Sequence, residues 1–183
     1  MTVAIQTYGS DHSGMVCGYL FAPGAPGRAI GSAEALDWLR HAEEHDDTDF
    51  LWLHFTLANI ATEKWLRDTL SLPDEFIEAL HEGTRSTRIE NADERLIAVI
   101  NDVLYDFSFD ASDIATMWVS VDRHMALTAR RKPLRSIDRL RVSVNNGASF
   151  NSPVELLVHL LSDQGDVLMQ IVRDATAKVD GIE

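Results

Sequence analysis

The order of apolar and polar positions in the first third of the chain predicts strand, helix and strand. Residues 15–22 and 50–55 are runs of apolar and aromatic side chains, which is typical of buried strands. Between them, apolar residues recur at helical spacing from Ser32 to about His45, and we expect Ser32 to cap that helix. This start is typical of a mixed α/β domain.

The middle of the chain changes from the helical to the strand pattern. Two short helices are expected first, one capped by Asn59 and one with Pro73 in its first turn. Several segments then follow that are rich in β-branched and aromatic residues and are separated by turn residues. These predicted strands are 86–90, 94–105, 114–121 and 124–130. Pro133 begins another amphipathic helix, which ends at Asn145-Asn146-Gly147.

A long helix is predicted at the C-terminal end. Ser152-Pro153-Val154-Glu155 has the capping-box pattern, with proline at the first helical position. Apolar residues then recur at spacings of four and seven, which is typical of a narrow seam between long helices. The seam residues are Leu157, Leu161, Leu168, Ala175 and Val179, flanked by Ile171 and Val172. Two interpretations stay open, a helix that continues past residue 183 and one that frays there.

Composition and net charge limit the classes of function that this chain can have. The chain has 183 residues, of which 45% are apolar and 25% charged, and this is normal for one globular domain. Its net charge of −13 disfavours nucleic-acid binding and favours attraction of divalent cations. The single cysteine, Cys17, excludes an internal disulfide framework. No apolar run approaches the roughly 18 residues of a membrane-spanning helix, so we expect the chain as given to be soluble.

One motif matches known catalytic chemistry. His41-Ala42-Glu43-Glu44-His45 fits the H-x-x-E-H pattern of inverted zinc peptidases. Residues four apart share a helix face, so both imidazoles can reach one zinc ion while Glu44 acts as a general base. No third ligand follows on another helix, and a solvated helix end is an alternative interpretation. Together with the acids Asp46 and Asp49, the two histidines are the candidate metal ligands of this sequence.

Several short motifs occur in one order along most of the chain. They are Trp52-Leu-His-Phe55, Asn59, Trp65-Leu66, Leu72-Pro73, Ala79-Leu80, Thr84-Arg85, Arg88, Met117-Trp-Val119, Leu127–Leu134 and Ser152–Leu157. In this order they resemble the cytoplasmic domain of CorA-type metal-ion transporters, and more narrowly the ZntB-like zinc branch. Ser86 stands where that branch usually has proline. The resemblance covers residues 15 to 180.

The resemblance implies an α/β/α sandwich around a mixed or antiparallel sheet. Residues 1–150 are expected to form this cytoplasmic domain, and residues 151–183 to begin a stalk helix leading to a transmembrane region absent from this sequence. Family members assemble as homopentamers and move divalent cations, so the implied partners are further copies, the membrane and cations such as zinc or magnesium. The implied location is the cytoplasmic side of the inner membrane. No cofactor is required, although zinc or another divalent cation is a candidate ligand.

Three functional interpretations follow. The first is the cytoplasmic domain of a CorA/ZntB-like zinc transporter, which contributes to assembly and gating and catalyses no reaction. The second is a soluble zinc hydrolase that uses His41, His45 and Glu44. The third is a non-catalytic oligomerisation module formed along the seam from Leu157 to Val179. The resemblance favours the first, and with it a helix that continues past residue 183.

Overall fold

The computed structural model describes residues 9–46, 48–82, 87–104 and 113–180, and seven of its strands form one mixed sheet. The strands are β1 Met15–Phe21, β2 Arg28–Ala29, β3 Phe50–Thr56, β4 Arg88–Ala92, β5 Arg95–Val103, β6 Ile114–Val121 and β7 Met125–Arg130. Their order across the sheet is β2-β1-β3-β7-β6-β5-β4. Strands β3 and β7 pair in parallel, and the other neighbouring pairs are antiparallel.

Five α-helices within the described residues cover both faces of this sheet. They are α1 Ser32–Arg40, α2 Thr62–Thr69, α3 Asp74–His81, α4 Arg135–Asn145 and α5 Pro153–Asp180. One face packs against α1, α2 and α3 through side chains such as Trp38 and Phe76. The other packs against α4 and α5 through Leu140 and Leu160. The prediction of an α/β/α sandwich with a mixed sheet and a long C-terminal helix is therefore confirmed.

The central strand β3 is buried on both faces, which explains why five of its seven residues are apolar. Alternate side chains of a strand point to opposite faces. Leu51 and Leu53 accordingly pack towards α1–α3, whereas Phe50 and Trp52 pack towards α4 and α5. The strand therefore contributes to both cores, and it also places one polar side chain, His54, at the centre of the fold.

Two predicted helix caps are wrong. Gly31 is the N-cap of α1, while Ser32 lies buried in the first turn and its hydroxyl bonds the carboxylate of Asp11. Ala61 is the N-cap of α2, and the side chain of Asn59 instead accepts the backbone N–H of Ala61 at 3.0 Å. A buried or turn-forming polar side chain bonds a nearby backbone or side-chain group. Tertiary packing determines which group is near, so the local sequence does not identify the partner.

The turn between β4 and β5 holds two non-glycine residues in the left-handed region. Asp93 has φ of 47° and Glu94 has φ of 61°. Ala92 pairs with Arg95, so these two residues form the whole connection. A two-residue hairpin of this kind requires positive φ at both positions, and glycine or asparagine meets that requirement at the least cost. The sequence at this turn is therefore not the one that backbone conformation alone favours.

Candidate functional site

The predicted metal ligands lie where α1 ends in a short 3-10 turn. The helix stops at Arg40, His41 follows as its C-cap, and Ala42–Glu44 form the 3-10 turn. His45 then has extended backbone. The prediction of one helix through His45 is therefore wrong, and the two histidines do not share the helix face that the motif requires. The ring of His41 instead bonds the carbonyl of Asp37 at 2.9 Å, which satisfies a carbonyl of the last helical turn.

His45 and Asp46 each make contacts within the chain, while the buried Nε2 of His45 has no hydrogen-bond partner among the described residues. The ring of His45 stacks on Trp38, with the two centroids 4.6 Å apart and the planes at 2°. Asp46 accepts hydrogen bonds from the hydroxyl and the backbone N–H of Thr48 at 2.8 and 3.2 Å, and these bonds lower the pKa of Asp46. Among the residues that the structure describes, no three His, Cys, Asp or Glu side chains are grouped to hold a metal. The metal role stays a prediction for His41, His45, Asp46 and Asp49.

A buried polar network crosses the centre of the sheet between β3 and β7. His54 and Thr128 are directly paired in the parallel register. The Arg130 Nε–H donates to Nε2 of His54 at 3.1 Å, so the hydrogen of the neutral imidazole lies on Nδ1 and is donated to the Thr128 hydroxyl at 2.8 Å. Trp52 donates its Nε1–H to the same hydroxyl at 3.0 Å. Neutral His54 thus has both ring nitrogens satisfied.

Burial and positive charge keep His54 neutral. Burial lowers the pKa of His54 well below its usual value, and the guanidinium groups of Arg130 and Arg141 lower it further. Arg141 on α4 lies 3.5 Å from the carboxylate of Asp138. Burial also raises the pKa of the nearby Cys17 thiol to about 12, which keeps it protonated and unreactive at neutral pH. The cluster therefore fixes α4 on the sheet and offers no nucleophile.

Several motifs that carry the family resemblance meet at the end of α3. Trp118 on β6 donates its Nε1–H to the carbonyl of Ala79 at 2.7 Å. Arg131 donates to the carbonyl of Leu80 at 3.2 Å, and its guanidinium lies 5.7 Å from the centroid of the Trp118 ring. These bonds satisfy carbonyls at the C-terminus of α3. Thr84 and Arg85, from the same resemblance, lie outside the described residues.

Helix α5 is part of the core in its first half. The predicted cap is confirmed for Ser152, whose hydroxyl accepts the N–H of Glu155 at 3.0 Å, whereas the Glu155 carboxylate accepts the N–H of Asn151, one residue before the cap, at 2.7 Å. Apolar side chains along one side of the helix then pack on the sheet and α4, and Gln164 donates to the carbonyl of Asn101. This core stripe consists of Leu156, Leu157, Leu160 and Val167.

The second half of α5 projects beyond the domain. No described residue from 168 to 179 is buried, and these twelve residues extend about 18 Å at the helical rise of ~1.5 Å per residue. The described residues contain no helix that is long and apolar enough to cross a membrane. The projecting half carries exposed apolar side chains, among them Leu168, Val172 and Val179.

A second apolar stripe runs along the outer side of α5. Its residues alternate at spacings of four and three, which is the repeat of a coiled coil. This exposed stripe consists of Val154, Val158, Leu161, Gly165, Leu168, Val172, Ala175 and Val179. Val158 is 56% exposed and Val172 is 63% exposed. The apolar spacing predicted Leu157 as part of the seam, but the structure buries this residue at 5% exposure in the core stripe.

The sequence of the sheet and of α5 matches a known family. Residues 47–183, which include β3 to β7 and all of α5, match the model of the CorA-like Mg²⁺ transporter proteins. The chain belongs to this family. The predicted CorA-type membership is thereby confirmed.

Similarity to individual CorA-like proteins extends over nearly the whole chain. It is 25% identical to the divalent cation transporter CmaX of Pseudomonas aeruginosa over 98% of this chain and 53% of CmaX. The structure of full-length CmaX matches with a TM-score of 0.79 at 20% identity, covering 94% of this chain and 51% of CmaX. The chain therefore spans about half the length of CmaX.

Two other solved domains share the fold. The ZntB cytoplasmic domain from Vibrio parahaemolyticus matches with a TM-score of 0.68 at 12% identity, over 90% of this chain and 64% of that domain. The soluble domain of CorA from Methanocaldococcus jannaschii matches with a TM-score of 0.62 at 11% identity, over 98% of this chain and 64% of that domain. The matching family and CmaX are named as transporters rather than enzymes. The zinc hydrolase interpretation also loses the helix face on which it depended.

We predict that the stability of the domain falls at acidic pH because of His54. A buried histidine whose pKa is lowered stabilises the fold above the ordinary histidine pKa of about 6.5 and loses this contribution as the pH falls below it. The expected loss is up to ~1.4 kcal/mol per pH unit below ~6.5. His54→Gln, which stays neutral and keeps a donor and an acceptor, should show a smaller loss between pH 7.5 and 5.5 in urea unfolding.

The matched control for this measurement is the exposed His41. His41→Gln should retain the pH dependence of the unsubstituted protein, because the His41 side chain is exposed and takes no part in the buried network. If the free energy of unfolding depends on pH equally in the unsubstituted protein and in His54→Gln, protonation of His54 does not cause the loss of stability.

Proposed function

We propose that this chain is the cytoplasmic domain of a CorA-like divalent-cation transporter and that α5 continues towards a membrane region. Family membership and the coverage of about half of CmaX support this proposal. The observation that carries it is the projecting half of α5, whose apolar side chains have no partner within the described domain. Residues 1–150 then form the domain and residues 151–183 begin the stalk, although the first half of that stalk packs on the sheet.

The physical contribution of the domain is to attract cations and to hold α5. A net charge of −13 raises the local concentration of divalent cations near the surface. The core stripe and the bond from Gln164 to Asn101 tie α5 to the sheet, so a rearrangement of the sheet displaces the stalk. Bound cations then bias a gate to the extent that their affinity differs between its two states.

Transport by the full-length protein encoded by the gene is the direct test. The protein, reconstituted in vesicles, should take up a divalent cation, and a variant that begins after residue 152 should lose regulation or assembly. Absence of uptake of Zn²⁺, Mg²⁺ and Co²⁺ by correctly folded protein would contradict the proposal. Zinc is the finer part of the proposal, and faster uptake of Mg²⁺ than of Zn²⁺ would overturn that part alone.

The exposed stripe of α5 supports assembly with further copies of the chain, as a homo-oligomer and, by the resemblance, a pentamer. Identical helices with a four–three apolar repeat bury that repeat against one another when they run in parallel. Gly165, which has no side chain, and Ala175, which has only a methyl group, are positions at which two helices can approach closely.

Cysteine cross-linking tests this surface. In a Cys17→Ala background, Ala175→Cys in the full-length protein should form cross-linked oligomers, because position 175 lies on the exposed stripe. Ala177→Cys is the matched control, since two helical residues further along the side chain points about 200° away. Equal cross-linking at both positions, or none at 175, would contradict assembly along this stripe.

Zinc binding by His41, His45, Asp46 and Asp49 is the finest part of the proposal. The stacking of His45 on Trp38 provides a reporter, because Co²⁺ bound to this imidazole should quench Trp38 fluorescence. We expect weak binding of one ion, lost in His45→Gln and retained in His12→Gln. Calorimetry with Zn²⁺ should give the same ranking, and identical affinities in the two variants would remove the site.

A further inference from the structure

A cavity of about 750 Å³ opens at the start of α5. Its apolar surface is formed by Leu96 on β5, Val121 on β6, Ile89 on the edge strand β4 and Val154 on α5. Ile89 and Val154 are 56% and 55% exposed, so each presents an apolar side chain at the mouth. The volume lies within the range of about 300–1,000 Å³ that is usual for small-molecule sites.

Charged side chains form part of the polar lining of the cavity. Glu90, Glu94 and Asp122 line it, against one guanidinium from Arg123. Glu90 is 3.1 Å from the Arg88 guanidinium, and Asp122 is 2.8 Å from that of Arg95. Within the part of the chain that the structure describes, Glu94 makes no hydrogen bond or ion pair. Its carboxylate is therefore available to an occupant of the cavity.

Glu94 occupies this place at a conformational cost. It is the second residue of the β4–β5 turn and has φ of 61°, where glycine or asparagine is less strained. Strained backbone positions tend to occur at functional sites, where the side chain compensates for the strain. Glu94 is such a position, and it places a carboxylate at a cavity whose walls are partly apolar and partly polar.

We propose that this cavity binds a small organic cation with an apolar body, and that Glu94 supplies the counter-charge. Among the described residues no three His, Cys, Asp or Glu side chains are grouped to hold a bare metal ion, and the Glu94 carboxylate, which has no arginine partner there, opposes an anion. Asn151, Ser152 and Pro153 also line the cavity, so an occupant contacts the first turn of α5. The site is independent of the proposed transport function.

Two probes of equal shape and opposite charge test the proposal. Tetraphenylphosphonium should bind the chain, and tetraphenylborate should bind at least about tenfold more weakly, because only the sign of the charge differs. Amide shifts in a ¹⁵N spectrum should map the cation to Ile89, Val121 and Val154. Equal binding of both probes, or shifts elsewhere, would overturn the proposal and indicate a general apolar surface or a site for a second copy.

A matched pair of variants separates the local charge from the net charge of the chain. Glu94→Gln should weaken tetraphenylphosphonium about tenfold, whereas Glu75→Gln, an exposed acid on α3, should leave it nearly unchanged. An equal effect of the two substitutions would show that the overall field attracts the cation, and the proposal would fail.

A second pair tests whether Glu94 is retained for binding. Glu94→Gly and Asp93→Gly both relieve a positive φ, so both should raise the urea midpoint. Binding of tetraphenylphosphonium should fall about tenfold in Glu94→Gly only, because Asp93 does not line the cavity. Unchanged binding in a stabilised Glu94→Gly variant would overturn the role of this carboxylate.

Discussion

The parallel pairing of β3 with β7 is the constraint on which the rest of the structure depends. It joins the β1–β2 side of the sheet to the β6–β5–β4 meander, and both strands are buried on both faces. Polar groups at such a place must be satisfied by the protein itself. The bonds among Trp52, His54, Thr128 and Arg130 meet this requirement, and they fix the two strands while Arg141 and its neighbours hold α4 above them.

The parts of the fold that depend on local sequence could be predicted. The strands Phe50–Thr56 and Met125–Arg130 were recognisable because their length and their apolar, aromatic and β-branched residues fit strands buried on both faces. The cap at Ser152 was also predictable, since its bond joins residues three positions apart. The end of α1 was not, because the stacking of His45 on Trp38 is a tertiary contact.

The surfaces of α5 show a second limit of sequence reasoning. Leu157, Leu160, Gln164 and Val167 repeat at spacings of three and four, just as the exposed stripe does. Because the two stripes have the same period, the sequence alone does not show which of them faces the sheet. For the same reason His54 was noticed as part of a motif, but its role required Thr128 and Arg130, which lie more than seventy positions further along the chain. The cavity at the start of α5 likewise combines side chains from separate elements.

The division of α5 into an anchored half and a projecting half has a mechanical consequence. At ~1.5 Å per residue its 28 residues form a rod about 42 Å long. Because such a rod bends little, a small tilt where it is seated on the sheet becomes a larger lateral displacement at its tip. The helix therefore works as a lever arm whose fulcrum is the contact with α4 and the sheet.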